Sequence, residues 1–175
     1  MLERIWSGWR ASYVTSSPAR ADTEATGSGS VFTQLLNSGA SDDDTHIVRR
    51  GVSCFVIVNL FPYTTGHLLV VPYREVADLE LLTAEETRDL WATVTDAVRV
   101  VRMVYAPDGV NVGLNLGRPA GGSVPDHLHV HVVPRWTGDS NFMSAISNTQ
   151  TLPEAIVDTA AKLRVGWTTS PMAGQ

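Results

Sequence analysis

Apolar and polar positions along this chain recur with two periods, and the changes between them predict its elements. From 46 to 72 the apolar residues come in short β-branched runs. His46 to Arg50 and Ser53 to Asn59 read as a hairpin with Gly51 near the turn, and Val56, Ile57, Val58 and Leu60 carry its strand character. Phe61 to Gly66 reads as a loop, and His67 to Pro72 as another strand. The period then lengthens. Leu90, Trp91, Val94, Ala97, Val98, Val101, Val104 and Tyr105 recur at helical spacing behind Thr83 and Glu86, an N-cap and N3 pair that forms a capping box. This predicts a helix over 83–105, ended by Ala106-Pro107-Asp108-Gly109. Val110 to Leu116 is a strand, and a Gly-rich loop over 117–123 follows it.

Strict alternation returns at His127-Leu128-His129-Val130-His131-Val132-Val133. A strand sends successive side chains to opposite faces. The three imidazoles therefore share one face and Leu128, Val130 and Val132 the other, with Pro134 expected to close the strand. Pro153 to Val165 is a helix with Pro in its first turn, and 168–175 read as frayed. At the front, Leu2, Ile5, Trp6, Trp9 and Tyr13 mark a short amphipathic helix. Residues 15–30, rich in Ser, Thr, Ala and Gly, read as a flexible linker. Ser30-Val31-Phe32-Thr33 opens a short apolar segment to about Leu36, and Ser41 to Asp44 is an exposed acidic turn. The division expected is an arm and linker over 1–45 and one folded domain over 46–175. Hairpins combined with a long helix and a terminal helix give an α+β class with an antiparallel sheet.

Composition narrows the function. The 175 residues are 43% hydrophobic and 18% charged, ordinary for a globular domain. The net charge of −5 argues against broad nucleic-acid binding. No apolar run approaches the roughly 20 residues of a membrane span. MLERIWSGWR has no continuous apolar signal core, and the single cysteine, Cys54, fits a reducing cytoplasm.

Three histidines on one strand face admit three readings: an imidazole-lined surface without chemistry, a metal site, or nucleophilic and acid–base chemistry on phosphate. His-x-His on a strand often binds zinc, but such a site wants a third or fourth ligand. A histidine nucleophile must be neutral, which an ordinary imidazole pKa of about 6.5 permits at neutral pH and which predicts a pH dependence in that range.

The pattern His-φ-His-φ-His-φ-φ, with φ apolar, resembles the signature of the histidine-triad (HIT) nucleotide hydrolases and transferases. GLNLGRPAGGSVPDHLHVHVVPRWTGDSNFM is similar to the bacterial branch that includes diadenosine tetraphosphate (Ap4A) phosphorylases, and NLFPYTTGHLLVVPYR matches the same family. The resemblance covers roughly residues 46–148. It implies a five-stranded antiparallel sheet with one long central helix and a C-terminal helix, and a homodimer; the N-terminal stripe with Trp6 and Trp9 would either dock within its own subunit or, docking across the interface, strengthen the dimer or build a higher homo-oligomer. It also implies cleavage of a dinucleoside polyphosphate or nucleotide conjugate at the α-phosphate through a nucleotidyl-histidine intermediate, by phosphorolysis or hydrolysis. A nucleotide-binding regulatory module with slow or no turnover is the alternative from another class.

By resemblance, His129 is the nucleophile, His127 orients it, and His131 lies by the leaving group. His67 lines the same pocket, Asn59 matches the ribose-binding position, and Asn115 a pocket asparagine. Gly121, Gly122 and Ser123 would bring backbone N–H groups and a hydroxyl to the phosphate. Many relatives carry Gly-Gln-Ser/Thr-φ-x here, whereas this chain has the longer Gly121-Gly122-Ser123-Val124-Pro125-Asp126. Arg118, Arg135 and the 136–142 loop are candidates for the distal part of the substrate. Many relatives also hold a structural zinc with Cys-x-x-Cys where Ser30 and Thr33 stand here. Hydroxyls are poor zinc ligands, so neither metal nor cofactor is expected.

Overall fold

The computed structural model of the chain describes residues 29–139 and 154–170. The amphipathic helix expected at 2–13, and the linker up to residue 28, lie outside the described residues. Helices α1 (Val31–Asn37) and α2 (Asp42–Thr45) lead into strands β1 (Ile47–Arg50), β2 (Cys54–Val58) and β3 (Leu68–Pro72). The long helix α3 (Ala84–Tyr105), strands β4 (Gly109–Leu114) and β5 (Val130–Arg135), and helix α4 (Ile156–Thr169) complete the fold. The five strands form one antiparallel sheet in the order β1-β2-β3-β5-β4.

Alternation along the strands builds two apolar layers. Val56, Val58, Leu68, Val70, Val130 and Val132 face α3 and α4, where they meet Leu90, Val94, Ala97, Val101 and Leu163. Phe55, Ile57, Leu69 and Val71 point to the other face, which α1 covers through Phe32, Leu35 and Leu36. A residue on β5 therefore looks either into the helix layer or toward α1. Leu128, Val130 and Val132 take the first direction, which leaves the histidine row facing the α1 side.

Several elements differ from the sequence expectation. The apolar segment after Ser30 is a helix, because the Ser30 hydroxyl accepts the Thr33 N–H and caps it. The acidic turn is a single helical turn capped by Ser41. Asp42 pairs with Arg50, and Asp43 with Arg164. His46 is not in a strand: it ends α2 in the left-handed region at φ 59°. β5 starts at Val130 rather than His127 and runs through Pro134 to Arg135. Pro134 is tolerated because its only strand partner is Val110 on β4, the pairing with β3 having ended at Val132. The terminal helix starts at Ile156 and runs to Thr169, past the point expected to fray, with Trp167 buried against the core. The capping box at Thr83 and Glu86 forms as the sequence predicts.

Two close approaches set the positions of the helices. A Cβ added at Gly166 on α4 would stand 2.4 Å from Val104 Cγ2 of α3, so only glycine lets the two helices meet there. Arg164 reaches across to the carbonyls of Ile47 and Asp42, tying α4 to the start of the sheet.

Candidate active site

The site is built where the loop after β4 enters β5, beneath α1. His127 is fully buried. Its Nε2 lies 2.8 Å from the Pro72 carbonyl, which can only accept, so Nε2 carries the proton. Its Nδ1 then accepts from the Ser30 hydroxyl at 2.6 Å. Thr33 donates its hydroxyl to Glu75 at 2.6 Å, and the same carboxylate oxygen accepts the Ser30 N–H at 2.9 Å. Phe32 closes over this layer, with its ring centroid 5.4 Å from those of both His127 and His129.

His129 is 6% exposed. Its Nδ1 lies 2.9 Å from the His127 carbonyl and must donate to it. That bond fixes the tautomer and leaves the Nε2 lone pair bare, with no hydrogen bond to it among the described residues. A neutral imidazole held in this form has its free lone pair oriented by the backbone and is chemically able to act as a nucleophile.

His131 and His67 form a second relay. The Tyr63 N–H donates to His67 Nδ1 at 3.0 Å. Asn59 Oδ1 accepts the Phe61 N–H, which turns the Asn59 amide nitrogen toward the same ring, 3.3 Å from Nδ1 and 3.4 Å from Nε2. The Tyr63 N–H makes His67 Nδ1 an acceptor, so the His67 proton sits on Nε2, 2.9 Å from His131 Nδ1. His131 accepts there and carries its own proton on Nε2. That nitrogen is buried without a partner among the described residues. An orphaned, buried N–H is costly on its own and suits a phosphate oxygen as acceptor. Tyr63 lies over both rings, 4.8 Å from His67 and 6.0 Å from His131.

Burial favours the neutral form of all four rings. It lowers the pKa of His127 and of His129, takes His131 to about 4 and takes His67 to about 3. Neighbouring imidazoles push His67 and His131 further in the same direction. All four rings therefore take up a proton at more acidic pH than an ordinary imidazole. Glu75 is held below the usual carboxylate range by the Thr33 hydroxyl and the Ser30 backbone, so it remains charged.

The fold thus brings His127, His129, His131, His67 and Asn59 together. Asn115, Gly121, Gly122 and Ser123 sit on the loop leading into His127, and no hydrogen bond among the described residues joins them to the histidines. Gly121 ends a 3-10 turn over Arg118–Ala120 at φ 98°, and a Cβ at Gly122 would stand 3.1 Å from the Gly117 carbonyl. Both glycines have a turn to satisfy whatever else they do. Arg135 is committed to Asp139 and to Asn111. Tyr63 and Glu75 escaped the sequence reading. No periodicity marks a tyrosine in a loop or a glutamate after a strand.

The donor set by α1 does not fit a structural zinc. The Ser30 hydroxyl bonds His127, and the Thr33 hydroxyl bonds Glu75, so hydrogen bonds occupy the place that thiolates would take.

Comparison with known proteins identifies the family. The family model described as HIT domain matches residues 41–138. An AP-4-A phosphorylase of Mycobacterium tuberculosis is 43% identical over 171 residues, covering 97% of this chain and 87% of that protein. A bis(5'-nucleosyl)-tetraphosphatase (asymmetrical) of Schizosaccharomyces pombe is 42% identical over 82 residues, 47% of this chain and 44% of its own. Among solved structures, a Zn-bound histidine triad family protein from Mycobacterium smegmatis superposes with a TM-score of 0.65 at 26% identity, covering 80% of this chain and 94% of its own. With its triad set on β5 and the entry to it, and with the family model spanning more than half its length, the chain belongs to the HIT family.

Proposed function

We infer that this protein cleaves dinucleoside polyphosphates, or related nucleotide conjugates, at the α-phosphate through a nucleotidyl-histidine intermediate. The observation that carries the reading is the pair of opposed tautomers: a bare Nε2 on His129 and, on the neighbouring ring, an unpartnered Nε2–H on His131. The relatives named as an AP-4-A phosphorylase and a tetraphosphatase support the substrate class.

The chemistry follows from those two nitrogens. The His129 Nε2 lone pair attacks the α-phosphorus, forming an N–P bond while the P–O bond to the bridging oxygen breaks. The remaining nucleoside polyphosphate leaves with that electron pair. The His131 N–H stabilises charge on the phosphate or leaving oxygen. Positive charge on the phosphorylated His129 ring is taken up by the His127 carbonyl at Nδ1–H. In the second half, water or inorganic phosphate attacks the same phosphorus and restores the free imidazole. Water yields a nucleoside monophosphate, and phosphate yields a diphosphate. The extended identity to the AP-4-A phosphorylase supports phosphate as acceptor. Asn59 would hold ribose hydroxyls, and the backbone of Gly121, Gly122 and Ser123 the phosphate.

Assembly as a homodimer is part of the reading. β4 is a sheet edge, and Val112 on it is 43% exposed. A cytoplasmic location rests on the single reduced cysteine, Cys54, which is buried. No helix among the described residues is long and apolar enough to cross a membrane.

Incubation with diadenosine tetraphosphate, with and without inorganic phosphate, tests the function. ATP with ADP marks phosphorolysis, and ATP with AMP marks hydrolysis. Both should vanish in His129→Ala while nucleotide binding persists. Turnover of that variant at the wild-type rate sinks the mechanism.

A further inference from the structure

We propose that Ser30, Thr33 and Glu75 are positioning residues that set the tautomer of the nucleophilic histidine from outside the site, an inference that rests on the proposed reaction. The juxtaposition is specific. Glu75, just past β3, accepts from both the Ser30 N–H and the Thr33 hydroxyl, so it anchors the first turn of α1 to the sheet. The Ser30 hydroxyl caps α1 by accepting the Thr33 N–H, and its own proton goes to His127 Nδ1. With Nδ1 occupied by a donor, His127 must carry its proton on Nε2, where the Pro72 carbonyl holds it. A ring tethered at both nitrogens fixes the His127 backbone, and the carbonyl of that residue is the group that receives Nδ1–H of His129.

The chain of contacts therefore runs from a charged carboxylate through two hydroxyls and a buried ring to the nitrogen opposite the attacking one. The links are 2.6 Å at Thr33–Glu75, 3.2 Å from the Thr33 N–H to the Ser30 hydroxyl, 2.6 Å at Ser30–His127 Nδ1 and 2.9 Å from the His127 backbone carbonyl to His129 Nδ1. None of the three residues touches the reacting atoms. Their effect is on which His129 nitrogen is bare, and on how steadily the ring points. Loss of the Ser30 hydroxyl frees His127 Nδ1, lets that ring turn, and loosens the carbonyl that selects the His129 tautomer. The wrong tautomer has its proton on Nε2 and cannot attack.

Two measurements on the full chain test this. Long-range 1H–15N spectra of the imidazole rings report tautomers without any substrate, and steady-state kinetics with diadenosine tetraphosphate report turnover. Wild type should show His129 with its proton on Nδ1. In Ser30→Ala that ring should become a mixture of tautomers, kcat should fall about tenfold and KM should stay within about twofold. Ser30→Thr, which keeps the hydroxyl, should restore both readouts. Thr33→Val keeps the backbone cap and removes the hydroxyl that donates to Glu75 and lies 3.3 Å from the Ser30 hydroxyl. It should give a smaller loss of kcat in the same direction, and it serves if Ser30→Ala fails to fold. A folded Ser30→Ala protein with an unchanged His129 tautomer and unchanged kcat overturns the proposal. So does a fall in kcat with no change in the ring spectrum. Because the spectra need no substrate, they judge the positioning role even if the substrate class is wrong, whereas His129→Ala judges the reaction itself.

Discussion

His67 Nε2 stands 2.9 Å from His131 Nδ1, and the proton between them belongs to His67. The Tyr63 N–H fills the other His67 nitrogen and forces that assignment. His131 is thereby made a donor at the nitrogen that has no partner among the described residues.

The pair predicts a contrast between two substitutions. His67→Leu fills similar space without an N–H, so His131 can move its proton to Nδ1 and lose the donor at Nε2. Removing one positioned donor of this kind costs on the order of a hundredfold in kcat. His67→Gln retains an amide N–H and should lose less. Steady-state kcat, with thermal melting as a control for folding, separates the two. Equal losses in both variants would remove the relay.

The rate should hold constant through neutral pH and fall only in acid. The attacking ring must be neutral, and burial lowers the His129 pKa below its ordinary value, about 6.5. A profile of kcat/KM from about pH 4 to 8 reads this directly, and an acid limb centred above about 6.5 would contradict it.

Stability follows the same groups with the sign worked out. His67 and His131 have folded-state pKa values lowered to about 3 and about 4. Unfolded histidine takes up its proton at about 6.5. Between these limits the unfolded chain binds more protons, so stability is complete above about 6.5 and is lost as pH falls toward 4. Each pKa unit corresponds to about 1.4 kcal/mol. Denaturant midpoints between pH 7 and pH 4.5 should fall, and His67→Leu should flatten the dependence.

Gly166→Ala should destabilise the fold by about 1–3 kcal/mol, the usual cost of forcing extra volume into a packed interface. The added Cβ would sit 2.4 Å from Val104 Cγ2, so α3 and α4 must separate. Thermal melting checks this. Activity per folded molecule at low temperature should change little, since the contact lies on the face of the sheet away from the histidines.

EDTA should leave both activity and melting temperature unchanged. The motive is the set of hydrogen bonds joining Ser30, Thr33, Glu75 and His127, which uses the groups a structural metal would need. Stoichiometric zinc in the purified protein, with a large loss of stability on chelation, would refute it.

The alternation of His127 to Val133 by itself determined which side chains face the core and which face the chemistry. That is a property of an extended backbone, whose side chains alternate wherever the strand is placed. The capping box and helical spacing likewise determined α3, because both are local. Which nitrogen of each ring carries a proton was decided only by tertiary structure. The partners that fix it come from far along the chain: Pro72 and Ser30 for His127, and His67 for His131. Helix α1 depended on the same cause. Its seven residues are too few to be stable alone, and they gain their place from Phe32 against the sheet and from the Glu75 carboxylate at the first turn. Glu75 carries no mark in the sequence that separates it from any exposed glutamate. Its role exists only because the sheet brings the end of β3 beneath the start of α1.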